Sequence, residues 1–254
     1  MKIHGLIAVL VVMLGSSLGA CSNNNLVGRK APPAQQAATN VQLALEYMKL
    51  NKLADAREII ERALAEDPGS ANVQLAAGLI YERISDMPKA GKAFATAARL
   101  GKTDPNIQND YAGFLCRTGK SAAGEKLFVE VARNAEYQTP EVALVNAGVC
   151  VRGTGDMVDA RRYFERALTV RPNMPEALLQ LGNVAIDSGD GAAALDYVQR
   201  YLAANPATAE VLWLGFRAQR KLGDSSAAAA YARRVQSEFP NSEQANLMRS
   251  GVDR

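Results

Sequence analysis

A proline recurs every 34 residues in the second half of the chain. Pro172, Pro206 and Pro240 lie in the similar contexts "VRPNMP", "AANPAT" and "EFPNSE", and Pro68 lies in a comparable one, "AEDPGS". A fixed period of this length is typical of solenoids, in which one supersecondary unit is repeated along the chain. The period therefore indicates a stack of like units rather than a conventional layered domain.

Alignment on this period gives six units, with a turn at the fifteenth and sixteenth positions and a small residue at the twentieth. The units begin at Ala37, Ala71, Pro105, Glu141, Pro175 and Ala209. The turn pairs are Asn51-Lys52, Ser85-Asp86, Gly119-Lys120, Gly155-Asp156, Gly189-Asp190 and Gly223-Asp224, and the small residues are Ala56, Ala90, Gly124, Ala160, Ala194 and Ala228. This pattern matches the tetratricopeptide repeat, in which two helices pack closely through small residues. We predict an all-α tetratricopeptide superhelix of six helix-turn-helix repeats over residues 37–248, followed by a tail at 249–254.

The N-terminus carries an export signal. Lys2 precedes an apolar stretch at residues 6–14, and small residues follow it up to Cys21. This layout is typical of a secretory signal, and the apolar stretch is too short to span a bilayer comfortably. The letters LGAC at 18–21 also resemble the bacterial lipobox, which implies a signal peptide at residues 1–20 and a lipid, including palmitate, on Cys21.

The segment after the lipobox is polar and contains Gly28, Pro32 and Pro33, which indicates a lipidated N-terminus and linker over residues 21–36. Ser22 follows the cysteine, and a residue other than Asp there usually accompanies sorting of bacterial lipoproteins to the outer membrane. We therefore expect a lipid-anchored protein on the periplasmic face of the outer membrane.

Residue content excludes most catalytic chemistry. The one histidine is His4, inside the predicted signal peptide, so the mature chain has no histidine for acid-base catalysis or metal binding. No phosphate-binding loop, zinc motif or dinucleotide fingerprint occurs, and only carboxylate or Ser/Lys chemistry stays open. A net charge of +3 without a Lys/Arg run argues against nucleic acid. We expect no enzyme, no metal, no cofactor besides the lipid, and no small-molecule substrate.

The first helices of such a stack line one face, and in tetratricopeptide proteins the fifth and ninth positions point into it. The residues at those positions that we predict to form a partner-binding groove are Val41, Leu45, Leu75, Leu79, Asn109, Val145 and Val149. Each could equally be core between repeats, because exposed apolar residues mark a partner site only when they are contiguous.

Three segments give a more specific resemblance: "NDYAGFLCRTGK", "EYQTPEVALVNAGVC" and "AEVLWLGFRAQRKLGD". Together with the lipobox and the six units, they resemble the PilF/PilW pilotin family of type IV pilus biogenesis and stability lipoproteins. The resemblance implies an outer-membrane lipoprotein that binds the type IV pilus secretin subunit and promotes its outer-membrane localisation and multimerisation, as pilus biogenesis and twitching motility require. A capped solenoid of this kind is expected to be a monomer.

Two alternatives stay open. The first is another lipid-anchored periplasmic tetratricopeptide scaffold, for tight-adherence pilus assembly or outer-membrane protein assembly, against which the FLCR and YQTP segments argue. The second is a periplasmic module of cytochrome maturation, which is expected to present its own membrane span or haem-handling residues.

Cys116 and Cys150 fall in adjacent first helices. Because units three and four begin 36 residues apart, the two cysteines occupy the twelfth and tenth positions of their helices. Residue positions alone leave two buried thiols or a disulfide open. The family resemblance implies a disulfide, and an oxidising periplasm favours one.

Overall fold

Helices form the regular structure of residues 32–251, the part of the chain that this computed structural model describes. Thirteen helices and no strand occur in that range. They are α1 (Pro33–Lys49), α2 (Leu53–Glu66), α3 (Ala71–Arg83), α4 (Met87–Leu100), α5 (Pro105–Arg117), α6 (Ser121–Arg133), α7 (Pro140–Arg152), α8 (Met157–Val170), α9 (Pro175–Asp187), α10 (Gly191–Ala204), α11 (Ala209–Leu222), α12 (Ser225–Glu238) and α13 (Glu243–Ser250). The all-α prediction is confirmed. The predicted signal peptide and Cys21 lie outside the described residues.

Twelve of these helices form six helix-turn-helix pairs, from α1 with α2 to α11 with α12. Each first helix contacts the first helix of the next pair, and each second helix also contacts that same helix. One pair is too small to bury its own apolar stripe, so stacking neighbours is what gives the chain a continuous core. The pairs therefore form the predicted tetratricopeptide superhelix, with the odd-numbered helices from α1 to α11 along one face, which we call the inner face.

Glycine and aspartate make the turn inside each later pair. Gly155, Gly189 and Gly223 adopt φ values of 90°, 82° and 77°, the left-handed region that glycine enters without a steric penalty. The aspartate that follows accepts a hydrogen bond from a backbone N–H of the next helix, as Asp190 does from Ala193 at 2.9 Å. Such a cap satisfies one of the free N–H groups at a helix start, so the two residues end one helix and begin the next.

Small residues sit where the two helices of a pair cross. Ala56, Ala90, Ala160 and Ala194 are completely buried. On the first helix, a Cβ at Gly148 would lie 2.5 Å from the ring of Phe164, which is itself completely buried. The ring thus fills the space that the glycine leaves, and this contact fixes the distance between α7 and α8.

The two ends of the stack differ from the predicted boundaries. Helix α1 begins at Pro33, so residues 33–36 belong to the helix and not to the linker. Proline fits the first helical position because a backbone N–H there has no acceptor within the helix, so its absence costs no hydrogen bond. At the other end α13 extends to Ser250 and contacts α11 and α12, so it covers the last pair as an additional helix. The fourth pair begins at Pro140, one residue before the predicted start.

Candidate partner-binding groove and disulfide

An apolar groove runs between α1 and α3 on the inner face. It has a volume of about 320 Å³, and four of the predicted groove residues line it: Val41, Leu45, Leu75 and Leu79. The three leucines are half-buried and pack against the core of the first three pairs, whereas Val41 is buried. The rest of the lining is mostly small or apolar, including Ala34, Ala38 and Ala76. The first two repeats therefore offer an apolar surface that a partner side chain can enter.

A second, larger groove of about 710 Å³ lies between α5 and α7. Leu79 lines both grooves, so they adjoin along the inner face. Asn109 and Val149, which the sequence predicted for a groove, line this one, and Val149 keeps 46% of its surface exposed. We call the two the apolar groove and the central groove.

Val145 is the predicted groove residue that the structure places elsewhere. It keeps 7% of its accessible surface and belongs to the core cluster that contains Ala177 and Leu181 of α9. The next residue, Asn146, lines the central groove in its place. An apolar side chain beside the next repeat gains more by burial between the repeats than by lining an open groove, and this is the alternative that the sequence left open.

The central groove contains an aspartate that the sequence did not single out. Asp110 lies half-buried in its wall. Beside it, the Nδ2 atom of Asn146 donates to Oδ1 of Asn109 at 3.3 Å, which joins α7 to α5. Burial raises the pKa of Asp110, and the neighbouring Asn109 amide and the positive charge of Arg117 oppose that shift.

Arg117 is the other charged residue in the lining of the central groove. Its Nε and Nη2 atoms donate to the two carboxylate oxygens of Glu82 at 2.7 and 2.9 Å. Two parallel charge-assisted bonds hold the guanidinium in one plane. A Cβ at Gly113 would lie 2.9 Å from Nη1 of Arg117, so the glycine makes room for the arginine. Arg117 is thus neutralised by Glu82.

Cys116 and Cys150 form a disulfide between α5 and α7, with Cα atoms 5.5 Å apart and a sequence separation of 34 residues. Both cysteines line the central groove. The small residue of this repeat is Gly124, and a Cβ there would lie 2.3 Å from Sγ of Cys116 and 2.8 Å from the carbonyl oxygen of Ala112. The disulfide sulfur thus occupies the space that alanine fills in the other five repeats.

Beyond the central groove, ion pairs cover the inner face. Nη2 of Arg152 donates to Asp187 at 2.7 Å, and Nη2 of Arg217 lies 3.8 Å from the same carboxylate. Trp213 and Phe216 of α11 stack on each other, with ring centroids 5.2 Å apart. The first helices of the fourth to sixth repeats therefore carry charged and aromatic side chains, in contrast to the apolar groove of the first two repeats.

Two kinds of site are absent from residues 32–251. No group of three or more acidic, histidine or cysteine side chains in that range is placed to hold a metal ion. No helix there is both long and apolar enough to cross a membrane.

The fold and the grooves define a tetratricopeptide scaffold, a class of protein that binds other proteins. Models of the tetratricopeptide repeat family match residues 41–105, 152–219 and 211–242.

Relatives of known structure narrow this class. The crystal structure of PilW, described as a widely conserved type IV pilus biogenesis factor, superposes with a TM-score of 0.73 and 30% identity, covering 84% of this chain and 98% of PilW. The structure of Pseudomonas aeruginosa PilF gives a TM-score of 0.67 at 20% identity over 86% of this chain and 98% of that one. The sequence of the P. aeruginosa type IV pilus assembly protein PilF is 23% identical over 181 residues, 70% of this chain and 71% of PilF. The chain belongs to the PilF/PilW family of type IV pilus biogenesis tetratricopeptide proteins.

Proposed function

We propose that this protein is a pilotin, an outer-membrane lipoprotein that binds the type IV pilus secretin subunit and promotes its outer-membrane localisation and multimerisation. The observation that carries the proposal is the open apolar groove in the first two repeats of a chain that belongs to the PilF/PilW family. In this proposal Cys21 holds the lipid that anchors the protein to the periplasmic face of the outer membrane. The repeats hold the secretin subunit, and no catalysis is involved.

The apolar groove suits an elongated segment of a partner. Each leucine-sized side chain that a partner buries there contributes about 1.5–3 kcal/mol. Association itself costs at least about 4 kcal/mol, so several side chains must be buried together. Leu45, Leu75 and Leu79 lie along one groove between two helices, and such a groove accepts several side chains of one helix or extended peptide.

A deletion strain tests the secretin role. Without this protein, we expect SDS-resistant secretin multimers to be lost from the outer membrane and twitching motility to cease, and the wild-type gene to restore both. Normal multimers in the outer membrane of the deletion strain would contradict the proposal. A Cys21→Ala variant is expected to leave the outer-membrane fraction, and its continued presence there would contradict the lipid anchor.

Two neighbouring residues of α1 test the apolar groove itself. Ala38 is exposed and lines the groove, whereas Thr39 is exposed and does not line it. An Ala38→Glu variant places a charged side chain in the groove, and we expect it to fail to restore the multimers. The matched Thr39→Glu variant adds the same charge to the same helix and is expected to restore them. Equal behaviour of the two variants would show that the groove is not the binding site.

A further inference from the structure

The central groove contains a carboxylate without a cation. No lysine or arginine of the described range lies within 4.0 Å of the oxygens of Asp110, although ten such ion pairs occur elsewhere in that range. Arg117 lies in the same lining and its charge acts on Asp110, but its Nε and Nη2 atoms donate to Glu82. Asp110 and Arg117, the charged residues of the lining, sum to zero, but together with Glu82, which pairs with Arg117, the three groups carry one net negative charge.

Stability of the fold does not explain this acid. Burial disfavours the charged form of Asp110, as the direction of its pKa shift shows, so the carboxylate weakens the folded state at neutral pH. Asn146 of α7 donates to the neighbouring Asn109, so the two helices are joined beside the acid. A partly desolvated acid with no cation within 4.0 Å is suited to a cation supplied from outside.

The position of the central groove gives the source of that cation. Leu79 lines both grooves, so a segment lying in the apolar groove continues directly into the central one. Nη1 of Arg117 lies over Gly113, 2.9 Å from where a Cβ would stand, so the approach to Asp110 is through the open groove itself. The groove has a volume of about 710 Å³ and Asp110 is part of its lining, which leaves room for a long basic side chain.

We propose that the central groove is a second recognition subsite, which takes a lysine or arginine of the same partner segment whose apolar residues occupy the groove between α1 and α3, with Asp110 as its counter-ion. The identity of the partner as the secretin rests on the proposed function. The chemistry of the bound segment, apolar and then basic, does not. The segment bound is thus an apolar run followed by a basic residue. The positive charge adds specificity to a groove that by itself selects only for apolar surface.

Synthetic peptides test the subsite without the secretin. The series is an extended peptide of alternating leucine and serine, followed at successive positions by lysine, arginine, glutamine or glutamate, titrated against the full mature chain. We expect the best lysine or arginine peptide to bind about tenfold more tightly than its glutamine counterpart, and this preference to weaken as salt is added. Equal binding of the lysine and glutamine peptides at every position would overturn the proposal.

Two variants assign the preference to one carboxylate. Asp110→Asn removes the charge and keeps the shape, and we expect it to bind the lysine and glutamine peptides equally while unfolding no more easily than wild type. Glu165→Gln makes the same change in net charge on the exposed surface of α8 and is expected to keep the preference. Retention of the preference by Asp110→Asn would overturn the assignment.

The secretin assay separates this inference from the proposed function. Normal secretin multimers in the deletion strain, together with a lysine preference that Asp110→Asn removes, would refute the pilotin role and leave the subsite standing. Loss of the multimers in the deletion strain, together with equal binding of the lysine and glutamine peptides, would refute the subsite and leave the pilotin role standing.

Discussion

Gly124 offers a sharp test of how the disulfide and the repeat fit together. A Cβ added at this residue would lie 2.3 Å from Sγ of Cys116, 2.8 Å from the backbone oxygen of Ala112 and 3.2 Å from the backbone nitrogen of Cys116. Nonbonded heavy atoms are most stable about 3.5–4.0 Å apart. A Gly124→Ala variant must therefore move either the disulfide or the backbone of α5.

The expected cost follows from two opposing effects. Overpacking of a core lowers the stability of the fold by about 1–3 kcal/mol, whereas replacing glycine by alanine inside a helix raises it by about 1 kcal/mol. Two of the three close atoms belong to the backbone, which yields less easily than a side chain, so the first effect should prevail. We expect a net loss of up to about 2 kcal/mol in the free energy of unfolding, or up to about 8 °C in Tm for a chain of this size.

Gly91 is the matched control. It lies in α4, and a Cβ there would approach only the ring of Phe114, at 3.6 Å, which is ordinary contact. A Gly91→Ala variant should therefore be as stable as wild type or up to about 1 kcal/mol more stable.

Urea unfolding followed by helical circular dichroism measures both variants, and the Cys116→Ala/Cys150→Ala background tests the mechanism. Removal of the sulfur there should reduce, but not abolish, the cost of Gly124→Ala, because the oxygen of Ala112 remains. If Gly124→Ala stabilised the protein as much as Gly91→Ala does, the steric argument would be refuted.

Three further predictions concern the disulfide, the hydrophobic core and Asp110. Replacing Cys116 and Cys150 by alanine should lower the free energy of unfolding by about 4 kcal/mol, the chain-entropy value for a loop of this length, and two free thiols in the unreduced, denatured wild-type protein would contradict the disulfide. Phe164→Ala should cost about 3–5 kcal/mol because the ring is completely buried, whereas Val158→Ala, at a side chain with 79% exposure, should cost less than about 0.5 kcal/mol in the same urea assay. Asp110→Asn should be more stable than wild type at pH 7 and equal to it below the unfolded pKa of about 3.9, because a raised folded-state pKa gives stability at low pH that is lost as the pH rises; a difference that shrinks towards pH 7 would contradict the direction of the shift.

Other charges around Asp110 do not reverse this sign. Arg117 opposes the shift and Asp104 adds to it, while desolvation is the largest contribution. Glu82 keeps Arg117 in place and offsets its charge. Comparison of the two proteins at each pH cancels the titration of carboxylates elsewhere in the chain.

The repeat itself was predictable from sequence because its signals are local. A left-handed glycine followed by an aspartate cap fixes each later turn, and a small residue five positions on fixes the crossing of the two helices. These signals recur at one period, and after three or four occurrences a coincidental pattern is no longer a reasonable explanation. The N-terminal end was not predictable in the same way, because Pro33 suits a linker and a first helical position equally.

The face of a helix is harder to predict than its existence. Alignment on the turns gives Val145 the same repeat position as Leu75, yet Val145 is buried between repeats and Asn146 lines the central groove. The turn after α7 is also one residue longer than that after α5, since α7 ends at Arg152 and the left-handed glycine is Gly155. The repeat period therefore does not determine how α7 is rotated about its own axis, because the spacing between repeats changes at this point. Asp110 could not be predicted as a groove residue from local sequence, because the groove that it lines is completed by residues of α7, far along the chain.

The junction of the third and fourth repeats combines an irregularity with the means to hold it. In a solenoid each repeat is stabilised mainly by its neighbours, so an insertion between two repeats weakens the one interface on which both halves depend. Here the inserted connection buries Tyr137 in a cluster with Val131 and Ala143, and the disulfide joins the first helices across the same junction. The junction is therefore held at two places, by the buried Tyr137 of the connection and by the disulfide. Both cysteines of that disulfide line the central groove, so the bond that joins the two repeats also fixes the separation of α5 and α7 at the groove wall.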